Sequence, residues 1–293
     1  MSEIKNETQS KESVSISKNT IYGIGIVIIV ALLTIGIMTG GFGLFKNNNQ
    51  TNSTTNTTNA TNTTNNTIIP GITQLSVTTG SITAYGQANA PVTWLEFSEF
   101  QCPYCWKLYT QTNNYVKTNY VQTGKVKMYW KDVPLSFHDK ATSAALAARC
   151  ANEQGKFWEM HDKIFDNQQT WTSQSVSQFE TTVKGYASAL GMDSQTFDTC
   201  LSSKKYINDI TKDANEAASL NIDNGAGYPK GILGTPGVLL LLPKNKTNLN
   251  TLKTAASAYQ LGIYQDLNNY IVFVGGAYPY ETFDAVLKTV TYS

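Results

Sequence analysis

The stretch that decides the fold is Trp94-Leu95-Glu96-Phe97-Ser98-Glu99-Phe100-Gln101-Cys102-Pro103-Tyr104-Cys105-Trp106-Lys107-Leu108. It begins as an apolar run of strand type and breaks at a Cys-x-x-Cys. Beyond the cysteines a helical spacing takes over, placing Leu108, Tyr109, Tyr115 and Val116 on one face. At a strand-to-helix junction the first sulfur, Cys102, meets free backbone N–H groups and the positive end of the helix dipole, which favours thiolate over thiol. Pro103 suits the first helical turn, where no N–H is needed. Cys105, one turn in, is less exposed and near enough to close a disulfide with Cys102. The pair reads as a two-electron redox switch. The rival reading, half of a zinc site, needs further ligands that zinc proteins usually supply as a second pair. Here Cys150 and Cys200 stand alone and far from each other. A purely structural disulfide across so short a loop is rarer still.

Composition bounds the surroundings. A chain of 293 residues with 41% hydrophobic content and five Trp has enough apolar surface for a substantial core. The balance of 22 basic against 21 acidic residues gives no reason to expect nucleic acid. Nothing in the sequence calls for a cofactor or a metal.

The compartment is read from the N-terminal third. Residues 21–45 carry no charge, and Ile21 to Met38 is almost wholly apolar, about the ~20 residues that span a hydrocarbon core. A cleaved signal peptide would have a shorter apolar region, of ~7–15 residues, before an Ala-x-Ala-like site, and no such site is seen. The segment is therefore read as an uncleaved signal-anchor helix. Lys5, Lys11 and Lys18 precede it and Lys46 alone follows closely. By the positive-inside rule the tail at 1–20 is then cytoplasmic and the rest of the chain extracytoplasmic. Residues 46–67 are an Asn/Thr-rich linker with sequons from Asn49-Gln50-Thr51 to Asn65-Asn66-Thr67, which any Asn/Thr-rich segment also produces by chance. Such a segment buries no core and serves as a flexible tether.

Several blocks occur together in one order. They are Ala90-Pro91-Val92-Thr93, the run from Leu95 to Cys105, Pro134-Leu135-Ser136-Phe137-His138, Glu153-Gln154-Gly155-Lys156-Phe157-Trp158-Glu159-Met160-His161, and Gly234-Thr235-Pro236. From about Ile82 onward the chain resembles the DsbA-like branch of the thioredoxin superfamily. The resemblance implies an α/β thioredoxin fold over 68–293 with an inserted helical subdomain at about 139–221. It also makes Thr235–Pro236 a cis-proline loop that faces Cys102 and pairs with a substrate strand. A proline just ahead of the buried run Val238–Leu242 already suggests a cis bond, with an ordinary turn as the alternative.

The pattern along the domain is as follows. Ile68 to Gln87 reads as one or two short strands and Val92–Phe97 as the first central strand. A helix runs from Pro103 to about Tyr120, and Val126–Val133 is a second strand, parallel to the first. The helical region follows, with shared faces at Phe157, Met160, His161, Ile164 and Phe165, at Val176, Phe179, Val183 and Leu190, and at Ile207, Ile210, Ala214 and Ala217. Gly155 and Gly191 are read as breaks between helices. Tyr270–Val274 is the last strand and Tyr280–Val290 the closing helix. Asp223–Lys230 reads as an inserted loop, and Pro243–Asn269 is too long for a simple hairpin; both are departures from the family pattern. Cys150 and Cys200 fall on apolar helical faces. They are either two buried free thiols or, in an oxidising compartment, a structural disulfide that stabilises by about 4 kcal/mol on chain entropy.

Cys102 is the expected nucleophile and Cys105 the resolving thiol, with Pro103 and Tyr104 between them tuning the thiolate. Glu96 matches an acidic position of the family and would take and return the resolving proton; a strand-end glutamate paired with a lysine is the plain alternative. Glu99 reads as a solvated or loop-structuring residue, and His138 and His161 as structural. The function expected is a membrane-anchored, extracytoplasmic thiol-disulfide oxidoreductase. Acting as a monomer, it would introduce disulfides into exported proteins and be recycled by a membrane quinone-linked partner. A reductase or isomerase of the same fold stays open. So does a glycosylated surface binding protein, against which the intact Cys102, Cys105 and Thr235-Pro236 set argues.

Overall fold

The computed structural model describes residues 68–292; the cytoplasmic tail, anchor and linker expected at 1–20, 21–45 and 46–67 lie outside the described residues. Among the described residues no helix is long and apolar enough to cross a membrane.

Strand β1 (Val92–Ser98) is buried along its whole length, as its near-continuous apolar sequence requires of a central strand. Helix α1 (Pro103–Leu108) follows and continues through two π-helical stretches, Tyr109–Asn113 and Lys117–Val121, with Asn114–Val116 between them. Strand β2 (Val126–Asp132) then returns parallel to β1, Glu96 lying opposite Trp130. The π-turns carry an extra residue each and rotate the helix face. Leu108 and Val116 are fully buried, while Tyr115, expected beside them, is 57% exposed.

Strands β3 (Gly237–Pro243), β4 (Gly262–Gln265) and β5 (Asn269–Gly275) complete a five-stranded sheet in the order β2-β1-β3-β5-β4, with every pairing beyond β1–β2 antiparallel. The pleat sorts β1 between two layers. Val92 and Trp94 pack with Leu108, Val116 and Phe283 of the closing helix, whereas Leu95 and Phe97 pack with Leu239, Ile271 and Ile232. The long segment before the last strand contains helix α8 (Leu249–Ala258), capped by the Asn248 side chain, and the edge strand β4. The closing helix, numbered α9, spans Tyr280–Leu287. Ile68–Gln87 forms no named strand; it contributes single bridges at Gln74–Gln265 and Tyr85–Met128. Gly71, Gly80 and Gly86, all at positive φ, interrupt the extended backbone a ladder would need.

The inserted region is six helices: α2 (Ala141–Asn152), α3 (Phe157–Asp166), α4 (Gln168–Trp171), α5 (Val176–Ala189), α6 (Ser194–Ser202) and α7 (Ile207–Ser219). Gly155 and Gly191 sit at φ 68° and 73° just after helices α2 and α5. There Lys156 N–H reaches Ala151 O and Met192 N–H reaches Ala187 O, closing off the helix ends in the left-handed cap that glycine permits. Ser175 and Gln178 form a reciprocal cap at the start of α5. The subdomain is fastened to β2 by buried charges: Lys131 bonds Asp213 (2.9 Å) and Glu216 (2.8 Å), and Arg149 bonds Asp132 (2.5 Å) and Asp213. This changes the expected face of α7. Ile207 is 37% exposed, and the buried stripe is Ile210, Asp213 and Ala217, because Asp213 turns inward to its two cations.

Candidate active site

Cys102 occupies the N-cap of α1 in extended conformation, Pro103 is the first helical residue, and the Trp106 N–H donates to Cys102 O at 3.1 Å. The strand-to-helix break therefore falls at the cysteine, at the helix end where the first turn leaves N–H groups unpaired. Cys102 is 3% exposed and Cys105 fully buried; both are free thiols. Their environments drive them apart. The Cys105 thiol hydrogen-bonds Cys102 and brings it down to about 7 against the opposing effect of burial, with the Cys105 N–H assisting. Cys105 is pushed well up, first by burial and then by giving its proton toward Cys102. One sulfur ionises near neutrality and the other holds its proton. That division of labour is what a nucleophile and a resolving thiol need.

Opposite the pair, the Thr235–Pro236 peptide is cis, and the Cys102 thiol donates to Thr235 O at 3.4 Å. The Thr235 hydroxyl oxygen is buried without a hydrogen-bond partner. The turn is held from behind by Gly276 N–H, which donates to Pro236 O at 2.8 Å. A side chain at Gly237 would collide with Ile232 and crowd Phe273, so the residue after the cis proline has room only for glycine. Tyr104, Phe137 and Leu233 are among the most exposed large apolar side chains of the described residues.

Glu96 points to the same sheet face as Trp94, beneath the helix that begins at Pro103. Its carboxylate accepts from Trp94 Nε1 and from Asn113 Nδ2, each at 3.1 Å, and its other oxygen has no partner. Among the described residues no lysine pairs with it, contrary to the plain reading of a strand-end glutamate. A buried carboxylate with an unpartnered oxygen is the kind of group that can hold or pass a proton.

Three residues that the sequence reading left outside the site belong to its frame. Gln168 of α4 is 2% exposed and donates to Phe100 O (2.7 Å) and Cys102 O (3.0 Å), so the helical subdomain grips the catalytic turn directly. Glu99 is 1% exposed rather than solvated; one oxygen accepts the Gln101 N–H at 2.6 Å and the other bonds His138 Nδ1. His138 is thus drawn into the active-site wall. A buried carboxylate three residues before Cys102 and a lone histidine 36 positions after it had no spacing that linked them. His161 is packed edge-on against Phe100, Tyr109, Trp130 and Phe165, bonds Asp162 at 2.8 Å, and serves the core.

Cys150 of α2 and Cys200 of α6 form a disulfide with Cα atoms 5.8 Å apart. They are consumed by each other and cannot complete a four-cysteine zinc site with Cys102 and Cys105. Among the described residues no cluster of His, Cys, Asp and Glu has the makings of a metal site.

Comparison with known proteins agrees with this architecture. The family described as Thioredoxin matches residues 78–225, half of the chain. The chain is 33% identical over 141 residues to the "Na(+)/H(+) antiporter NhaA 3" of Salinispora tropica, an alignment covering 48% of this chain and 20% of that protein. Against the "Probable disulfide bond formation protein D" of Bacillus cereus it is 27% identical over 153 residues, 52% of this chain and 71% of that one. Among solved structures, Wolbachia pipientis alpha-DsbA1 superposes with a TM-score of 0.52 at 19% identity, over 76% of this chain and 92% of the other. The chain thus spans only about a fifth of the length of the antiporter it matches.

Proposed function

The chain belongs to the family described as Thioredoxin, and we propose that it is a DsbA-like thiol-disulfide oxidoreductase that donates the Cys102–Cys105 disulfide to exported proteins, a reading that its likeness in fold to alpha-DsbA1 supports. The observation that carries the reading is the division between a Cys102 sulfur near neutrality and a buried, protonated Cys105, with Cys102 Sγ 3.4 Å from Thr235 O at the cis Thr235–Pro236 peptide. In the oxidised enzyme a substrate thiolate attacks Cys102 Sγ. The Cys102–Cys105 bond breaks, its electron pair passes to Cys105, and that sulfur takes a proton, for which Glu96 is the candidate donor. A second substrate thiolate then attacks the substrate sulfur of the mixed disulfide. A substrate disulfide forms and Cys102 leaves as thiolate, so the substrate loses two electrons and the enzyme gains them.

The setting is part of the same proposal. The uncharged run at 21–45 supports a membrane anchor with an extracytoplasmic catalytic domain, acting as a monomer on exported proteins. A membrane quinone-linked partner would then return the dithiol to disulfide, since a reduced enzyme outside the cytosol lacks a soluble acceptor. The linker at 46–67 supplies the reach for both encounters, and its sequons are candidate glycan sites.

One number favours a second reading. A Cys102 thiol at about 7 resembles thioredoxin, at ~7, more than the strongest oxidases, at ~3.5, and thioredoxin is a reductase. Equilibrium of the Cys102–Cys105 pair with glutathione decides. A midpoint near about −120 to −200 mV fits disulfide donation, and one near about −270 mV assigns the protein as a reductase.

A further inference from the structure

We propose that Glu99 and His138 form a charge pair that tunes Cys102: protonated His138 cancels the Glu99 carboxylate beside the nucleophile, and neutral His138 leaves that carboxylate to oppose the thiolate. The inference deepens the reading of Cys102 as nucleophile and adds two positioning residues to it.

The geometry is specific. Glu99 lies three residues before Cys102 with its side chain 1% exposed, and it is committed on both oxygens, to the Gln101 N–H and to His138 Nδ1. The Gln101 side chain in turn accepts the Lys140 N–H at 2.7 Å and donates to Asp139 at 3.0 Å, so the turn at 99–102 and the loop at 138–140 are sewn together twice. Lys140, the other cation of that loop, is spent on Asp139 at 2.6 Å. A buried carboxylate near a nucleophilic sulfur is a liability, because like charges close together suppress ionisation of both. Glu99 acts in this adverse direction on Cys102 and on Cys105 alike. The group placed to offset it is His138, whose ring side chain is 18% exposed and lies against the exposed Phe137 ring at 4.6 Å.

The coupling runs both ways. The Glu99 hydrogen bond raises His138 above its ordinary value against the opposing effect of burial, and the charges of Glu99, Cys102 and Asp139 add to the rise. The titrating groups facing the pair are therefore Cys102 and Cys105 from α1 and Asp139 from its own loop. Two sites that feel each other's charge must shift each other by the same free energy. When the mixed disulfide resolves and its electron pair stays on Cys102 Sγ, the new negative charge strengthens proton binding at His138, and the imidazolium stabilises that charge in return.

The test is the pH profile of Cys102 alkylation in the reduced full-length chain, for the wild type, Glu99→Gln, His138→Gln and the double variant. Glutamine at 99 keeps an acceptor for Gln101 N–H, and glutamine at 138 keeps a donor. His138→Gln should move the midpoint up by about one pH unit and Glu99→Gln down by about one, with the double variant returning near the wild type. Shifts of the same sign, or no shift in either single variant, overturn the proposal. A measurement on the unmodified protein guards against misfolded variants. The chain has two histidines, so selective labelling yields two imidazole titrations, assigned by His138→Gln. The His138 midpoint should be higher in the reduced than in the oxidised protein, and equal midpoints overturn the pairing. Neither measurement uses a substrate, so failure here leaves the exchange reading standing, and loss of exchange with these shifts intact refutes that reading alone.

Discussion

Cys102 and Cys105 are separated by two residues within a single helical turn; Cys150 and Cys200 are separated by 50 positions and lie on two different helices. All four sulfurs belong to one apolar cluster, at 3%, 0%, 1% and 4% exposure respectively. Burial therefore does not distinguish a reactive pair from an inert one. The polar frame does. Cys102 has the Cys105 thiol and N–H and the Glu99 carboxylate acting on its charge, and that charge in turn raises His138. Cys150 sits in an alanine-rich stretch of α2, with Ala147, Ala148 and Ala151 in the same apolar cluster, and its sulfur is bonded to Cys200. The first pair is built to change state, the second to keep one.

The most direct way to break this contrast is to exchange sulfur for oxygen. Cys102→Ser should abolish disulfide transfer outright, because the hydroxyl neither ionises near neutrality nor forms the mixed disulfide. Cys105→Ser should keep attack at Cys102 and lose resolution, so mixed disulfides with substrate accumulate on non-reducing gels after acid quenching. If Cys102→Ser retains transfer, the assignment of the nucleophile fails. The converse experiment removes the structural pair. Cys150→Ala with Cys200→Ala opens a cross-link that closes a loop of 50 residues, worth about 4 kcal/mol on chain entropy. Urea unfolding should show a loss of that order, while the exchange rate of folded molecules stays within about twofold. A variant of unchanged stability but slowed exchange would mean that the second pair takes part in the chemistry.

What was legible in the sequence follows the same division between local and distant causes. The β1–turn–α1 unit could be read because its signals are consecutive: an apolar run, then Cys102, Pro103 and Cys105, then helical spacing. The helical insertion announced itself through periodicity and through Gly155 and Gly191, whose left-handed conformations do end helices. Other features depend on partners far along the chain. Asp213 disguised the buried stripe of α7, since a carboxylate turns inward only for Lys131 and Arg149, more than 60 positions away. Tyr115 was placed on the wrong side because helix periodicity assumes α-turns throughout, and the π-turns rotate the face. Strand β4 is four residues of weak pattern that needs β5 to exist. The Glu99–His138 contact was invisible for the same reason: neither residue carries a signal by itself.

The smallest predicted effect concerns the residue that joins the two regions. Gln168 belongs to the helical insertion, yet its amide bonds the carbonyls of Phe100 and Cys102 at 2.7 and 3.0 Å. Gln168→Leu keeps nearly the same volume and removes both donors. Cys102 O retains the Trp106 N–H, so the variant chiefly leaves Phe100 O facing a hydrocarbon. An abandoned buried acceptor costs about 1–3 kcal/mol, less than the disulfide. If the insertion only braces the catalytic turn, urea unfolding should show this loss while the alkylation midpoint of Cys102 stays near 7, because the groups that lower it do not include Gln168. A shifted midpoint with little change in stability would instead mean that the insertion sets the reactivity of the first cysteine pair, and the division between a reactive region and a bracing one would have to be redrawn through Gln168.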